Sequence, residues 1–252
     1  ANLWCYFALL WLGVLGAFLV SNAADFTWKF FVRESAFPLV GILVLGSTIV
    51  SYGTPLQILL AGLLTSVAFC LCAWQAAKKN QPAAFNAVLT LIAVGLGVTG
   101  IIVAMRTLGH ENIADFLSNE NHTGGAANWQ TRLLVWDTAK DAVAARPWWG
   151  WGQASFGVAV SFFQNAQLGG HYFGYAFSSL LQFVVEKGVL MTAVWVGFPL
   201  LFVLRFLKRI LKSPFAIMLL VSCAALAFCG VIDYAFQSPA LAMSWWIIFF
   251  AA

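Results

Sequence analysis

The chain has 252 residues, 62% of them hydrophobic and only 9% charged, with a mean hydropathy of +0.88. A soluble domain carries about 25% charged residues, so composition excludes one, and the length is counted in membrane spans of about 20 apolar residues each. The net charge of +4 does not signal nucleic acid, because six of the thirteen Lys and Arg residues lie in two clusters beside apolar runs, Lys78-Lys79 and Arg205/Lys208/Arg209/Lys212, where basic residues mark the cytoplasmic side.

In chain order, span one is read over 2–20. An amphipathic connection from Ser21 to Ser35 follows, carrying Lys29 and Arg33. Span two covers 36–52 and span three 55–77, separated by the turn signal Tyr52-Gly53-Thr54-Pro55. Span four covers 83–105. A polar segment, 106–175, then holds all three histidines, His110, His122 and His171. Span five is read over 180–204, span six over 214–232, and span seven from Pro239, truncated at Ala252. The domain organisation is therefore spans one to four in 1–105, a loop in 106–179 and spans five to seven in 180–252. The fold class expected is all-α: a polytopic transmembrane helical protein of about seven spans with one large periplasmic loop. The first segment lacks the basic region of a signal peptide, and the chain reads as the C-terminal part of a longer protein.

The five cysteines, Cys5, Cys70, Cys72, Cys223 and Cys229, all lie in apolar runs. Cys70-Leu71-Cys72 lacks the spacing of a zinc site, so these residues read as small packing groups. If Lys78-Lys79 and Arg205–Lys212 both face the cytoplasm, the segment between spans four and five lies outside. Its four basic residues against five acidic ones suit translocation. The Tyr52 turn and Asp233 then fall on that same outer side.

Within the loop, residues 128–147 read as an amphipathic helix. Asn128 is its N-cap, Leu133, Trp136, Ala139 and Val143 recur at helical spacing, and Pro147 ends it. Arg132 and Trp136 are four apart and share a face. Then comes Pro147-Trp148-Trp149-Gly150-Trp151-Gly152. The glycines permit a tight turn or a close backbone approach to a ligand. The tryptophans suit a membrane interface and also stack on sugar rings.

The elements Arg132-x-x-x-Trp136, Pro147-x-x-Gly150-x-Gly152-x-x-x-Phe156, Leu181-Gln182-x-x-x-Glu186-x-Gly188 and Asp233-Tyr234-x-x-Gln237-x-Pro239-Ala240-Leu241-Ala242 together resemble the O-antigen ligase and O-antigen (exopolysaccharide) polymerase superfamily. The resemblance runs from about Ala36 to the end. It implies an inner-membrane glycosyltransferase of bacteria, inverting, with no metal and no cofactor. Such an enzyme moves a glycan from an undecaprenyl-diphosphate carrier to a glycan, lipid A core or protein acceptor. It also implies that arginines hold the diphosphate and that a loop histidine activates the acceptor hydroxyl. A departing lipid diphosphate concentrates negative charge, and the planar guanidinium fork matches phosphate oxygens. A base near neutral pKa points to histidine.

The catalytic candidates are His171, Arg132 and Glu186. The substrate-binding candidates are Arg106, Arg146, Trp136, Trp149, Trp151, Gly150 and Gly152; no metal ligand is named. Each has a plainer reading. Arg132 can occupy a solvated helix face, Arg146 complements the end of a helix dipole, and Arg106 can anchor a span at the interface. Glu186 lies where span five begins; a carboxylate there is often functional, but it also stands beside Lys187 near the interface. Asp233 can cap span seven, and the tryptophan cluster can be interfacial packing. Two positions depart from the superfamily pattern. Tyr175-Ala176-Phe177-Ser178-Ser179 replaces a His-x-His cluster, leaving His171 as the nearest histidine. Ser51-Tyr52-Gly53 replaces Ser-Arg-Gly. Alternatives to the polymerase or ligase are a protein O-oligosaccharyltransferase, a non-catalytic membrane subunit or transporter fragment, and an inactive relative.

Overall fold

A computed structural model of the chain describes residues 2–22, 40–46, 49, 55–78, 90–98, 100, 129–164, 168, 172–232 and 235–252. The helices are α1 (Asn2–Asn22), α2 (Pro55–Lys78), α3 (Trp129–Ala145), α4 (Phe156–Phe162), α5 (Ser179–Ile210), α6 (Pro214–Ile232) and α7 (Pro239–Ala251), with a 3₁₀ turn at Ala235–Gln237. Residues 40–46 and 90–98 are also helical, and no strand occurs among the described residues.

Three helical stretches are long and apolar enough to cross a bilayer: Gln57–Gln75 in α2, Ser179–Ile210 and Pro214–Ile232. Cys5–Ser21 and Pro239–Ala251 are shorter apolar helices. The protein is thus an all-helical membrane protein. Helices α2 and α6 keep the limits read from sequence. Helix α5 runs past 204 to Ile210, because Lys208 and Arg209 in its last turn favour the negative end of the helix dipole. Much of spans two and four, including the Tyr52 turn, lies outside the described residues.

The chain divides into two compact units. The first draws on 1–108, 206–227 and 238–252, the second on 109–205 and 228–237.

In the first unit, α1 packs against α2 and α7. Small residues let backbones approach, the usual device where lipid supplies no hydrophobic drive between helices. Gly13 of α1 meets the Ser222 side chain of α6, and the Ser222 hydroxyl donates to the Leu10 carbonyl at 3.1 Å. The Ser66 hydroxyl of α2 donates to the Ala93 carbonyl at 2.8 Å. Trp245 of α7 donates its indole N–H to the Cys223 carbonyl at 2.8 Å and stacks on Phe249. Cys5, Cys72 and Cys223 of this unit are buried and Cys70 is exposed; all are free thiols, as is the buried Cys229 of the second unit.

The second unit has its own core. Val135, Ala139 and Ala142 of α3 pack with Phe156, Ala159 and Val160 of α4, and with Ala176 and Val185. The buried stripe of α3 is therefore centred one position off the one expected. Ala139 belongs to it, Leu133 is exposed, and Trp136 and Val143 are half-buried. Small residues fill the stripe because α4 and α5 residues share the space around it.

Candidate functional site

Arg132 and Trp136 sit one turn apart on α3 and both reach the chain just before α5. The Trp136 indole N–H donates to the Ala176 carbonyl at 2.6 Å. The Arg132 guanidinium lies 5.3 Å from the centre of the Phe177 ring, within cation–π range. Arg132 Nη1 also donates to the Ile232 carbonyl at 3.4 Å, one of the carbonyls that the end of α6 leaves without an intrahelical partner. At that length the bond is weak. Aromatic contact and a loose bond orient the guanidinium, and these are its partners among the described residues. Phe177 has φ +51°, a left-handed conformation uncommon for a non-glycine residue and strained for a bulky one.

The tryptophan–glycine run follows α3. Trp151 faces inward, with its indole N–H donating to the Ala142 carbonyl at 2.8 Å. Arg146 lies 4.4 Å from its ring centre. Phe162 stacks on it and Phe163 meets it edge-on. Trp148 and Trp149 point away and are exposed, Trp149 at 73%.

The backbone of this run closes onto α5. In an unbroken helix the Val185 carbonyl would accept from Val189 and the Glu186 carbonyl from Leu190. Gly188, at φ 80° and ψ 170°, breaks α5. Trp151 N–H then donates to Val185 O at 2.9 Å, Gly152 N–H to Glu186 O at 2.9 Å, and Val189 N–H to Pro147 O at 2.7 Å. The loop thus completes the hydrogen bonding that the break leaves open. Glycine is needed on both sides of this contact. A Cβ on Gly150 would lie 2.6 Å from Val185 O, and one on Gly188 would collide with the Trp148 carbonyl.

Glu186 is buried beneath the same turn. Its Oε2 accepts from Ala154 N–H at 3.1 Å, and its Oε1 accepts from Gln182 Nε2 at 3.0 Å. Beside it, Lys187 Nζ donates to Gln153 Oε1 at 3.1 Å. At the other end of the segment, Ser179 Oγ accepts from Phe236 N–H at 3.1 Å. Trp195 touches Phe236 edge-on and stacks on Phe183.

The structure therefore brings Arg132, Trp136, Arg146, Gly150, Trp151, Gly152 and Glu186 into one folded unit, with Trp149 on its surface. Arg106, His110, His122, His171 and Asp233 lie outside the described residues. Phe177 and the break at Gly188 were missed from sequence. A glycine inside the apolar run, Gly188, was the available signal for the break. Nothing local marks Phe177, because an aromatic residue is a poor indicator of a left-handed turn.

Fold and site together define a helical membrane protein whose polar segment is folded and hydrogen-bonded onto a broken apolar helix. A family model described as O-antigen ligase matches residues 57–196, more than half of the chain, and the protein belongs to that family. No curated protein and no solved structure matches it.

Proposed function

We propose that the protein is a glycosyltransferase of the bacterial inner membrane. It acts on the periplasmic side and transfers or polymerises a glycan carried on undecaprenyl diphosphate, with inversion and without a metal. The observation that carries this reading, beside the family match, is the setting of Arg132. Arg132 is half-buried, and its guanidinium is oriented by Phe177 and loosely bonded to Ile232. That is an arrangement suited to receiving a diphosphate.

In this mechanism an acceptor sugar hydroxyl attacks the anomeric carbon of the donor glycan. The bond from that carbon to the diphosphate oxygen breaks, and undecaprenyl diphosphate leaves with the electron pair. Arg132 stabilises the charge developing on the leaving phosphate, where a preorganised donor has its greatest effect. His171 takes the hydroxyl proton. Arg106 and Arg146 add positive charge along the phosphate path, and the exposed face of Trp149 meets the glycan. Trp136, Trp151, Gly150 and Gly152 act through the shape they give the site. The acceptor is a glycan or lipid A core. A protein acceptor is the same chemistry with a serine or threonine hydroxyl as nucleophile.

The test is release of undecaprenyl diphosphate in proteoliposomes as donor concentration is varied. Wild-type protein should turn over, and Arg132→Ala and His171→Ala should each lose kcat. Turnover unaffected by Arg132→Ala would remove the central residue of the proposal. Turnover unaffected by His171→Ala would move the base elsewhere.

A further inference from the structure

We infer that Glu186 is a positioning residue: a buried latch that fixes the Pro147–Ser155 turn onto the broken helix α5 and so holds α3 and Arg132 in register. The inference rests on the glycosyltransferase reading for its kinetic consequences, but its structural basis is independent. A carboxylate acting as acid or base must present an oxygen to substrate. Here each oxygen already accepts a bond from the protein, Oε2 from Ala154 N–H and Oε1 from the Gln182 amide, and the residue is only 9% exposed. Its own main-chain carbonyl receives Gly152 N–H. The residue is therefore joined to the turn through both backbone and side chain, two positions before the helix break.

The turn it grips is tied to α5 by three main-chain hydrogen bonds, and Glu186 adds a side-chain bond at Ala154. Gly150, Gly152 and Ala154 all have positive φ, and α4 begins without a side-chain cap at Ser155. A buried anion accepting an N–H at Ala154 stabilises such a backbone. The turn carries Trp151, whose indole reaches the Ala142 carbonyl of α3. Arg132 lies on that same helix. The coupling thus runs from Glu186 through the turn to Trp151, α3 and Arg132, each link a contact within one folded unit.

This role predicts that charge is dispensable and hydrogen bonding is not. In Glu186→Gln the amide oxygen accepts from Ala154. The amide nitrogen donates to Gln182 once the Gln182 amide turns over. The exchange variant Gln182→Glu/Glu186→Gln keeps the same pair with the carboxylate moved by one turn. Glu186→Ala removes both bonds.

The experiment combines two readouts on the full chain in proteoliposomes: release of undecaprenyl diphosphate across pH, and deuterium exchange at the amides of Trp151, Gly152 and Ala154. Glu186→Ala should lower kcat by roughly ten- to a hundredfold, the scale of a small misplacement at a reacting centre, and should speed exchange at those amides. Glu186→Gln and the exchange variant should keep most of the activity, the wild-type pH profile and the protection. Loss of activity in Glu186→Gln with the amides still protected would overturn the latch in favour of carboxylate chemistry. Unchanged exchange in Glu186→Ala would also overturn it. If wild-type protein releases nothing, the glycosyltransferase reading fails, and exchange alone decides the latch by the same criteria.

Discussion

Arg132 and Trp136 share a face of α3 but make contacts of unequal strength. The Trp136 bond to Ala176 O is short at 2.6 Å, whereas the Arg132 bond to Ile232 O is long at 3.4 Å. Trp136 is therefore the firmer anchor, and the looser bond of Arg132 suits the ligand-binding role proposed for it. Trp136→Phe keeps an aromatic ring, though a smaller one, and takes a donor from the carbonyl of the fully buried Ala176. It should destabilise the protein by about 1–3 kcal/mol, read as a lowered midpoint of thermal unfolding in detergent. Arg132→Ala should leave stability nearly unchanged and lower turnover by roughly 10²–10³-fold, the usual effect of losing a preorganised donor at developing charge. Arg132→Lys should recover only part of that loss, because a point charge cannot reproduce the two-pronged match to phosphate. Steady-state kinetics on the three variants checks this division of roles. The i, i+4 spacing of Arg132 and Trp136 was legible in the sequence. Their target was not, because Ala176 and Phe177 lie far along the chain and meet α3 only through tertiary packing.

At the scale of elements, the notable construction is the joint between the 147–152 run and α5. Hydropathy reads the apolar run of span five as continuous, since an apolar segment looks the same whether its helix is whole or broken. Breaking it at Gly188 frees main-chain groups that are expensive to leave unpaired in an apolar setting, and Trp151, Gly152 and Pro147 pair with them. Gly188→Ala should disrupt this joint. The backbone there is essentially open only to glycine, worth about 1–3 kcal/mol by itself, and a Cβ also meets the Trp148 carbonyl. The expected result is a less stable second unit and faster proteolysis between 147 and 155, measured on membranes with an added protease. Proteolysis as slow as in wild type would show that the joint tolerates a side chain. Helix α3 was readable from its periodicity and its end from Pro147, while its expected N-cap, Asn128, lies outside the described residues. Its buried stripe was misplaced because Trp136 faces a hydrogen-bond partner rather than the core centre.

Over the whole molecule, low charge and long apolar runs made the membrane class plain from composition. The family was legible because its motifs fall in order around one polar segment, and the match over 57–196, which spans the first three of them, bears the family out. The surface of that segment keeps exposed aromatic residues, Trp148, Trp149 and Tyr172 among them. Trp149→Ala should change stability by less than about 0.5 kcal/mol while raising the KM for donor glycan, a split that kinetics and thermal unfolding measure together. The most direct measurement of the central claim is analysis of the product. The full chain in proteoliposomes receives an undecaprenyl-diphosphate glycan and an acceptor, and the product is read by mass spectrometry and by its anomeric configuration. A transferred or lengthened glycan of inverted configuration is expected, formed by wild type and suppressed in Arg132→Ala. A retained configuration would contradict the single-displacement mechanism, and equal product from Arg132→Ala would contradict the role given to that arginine.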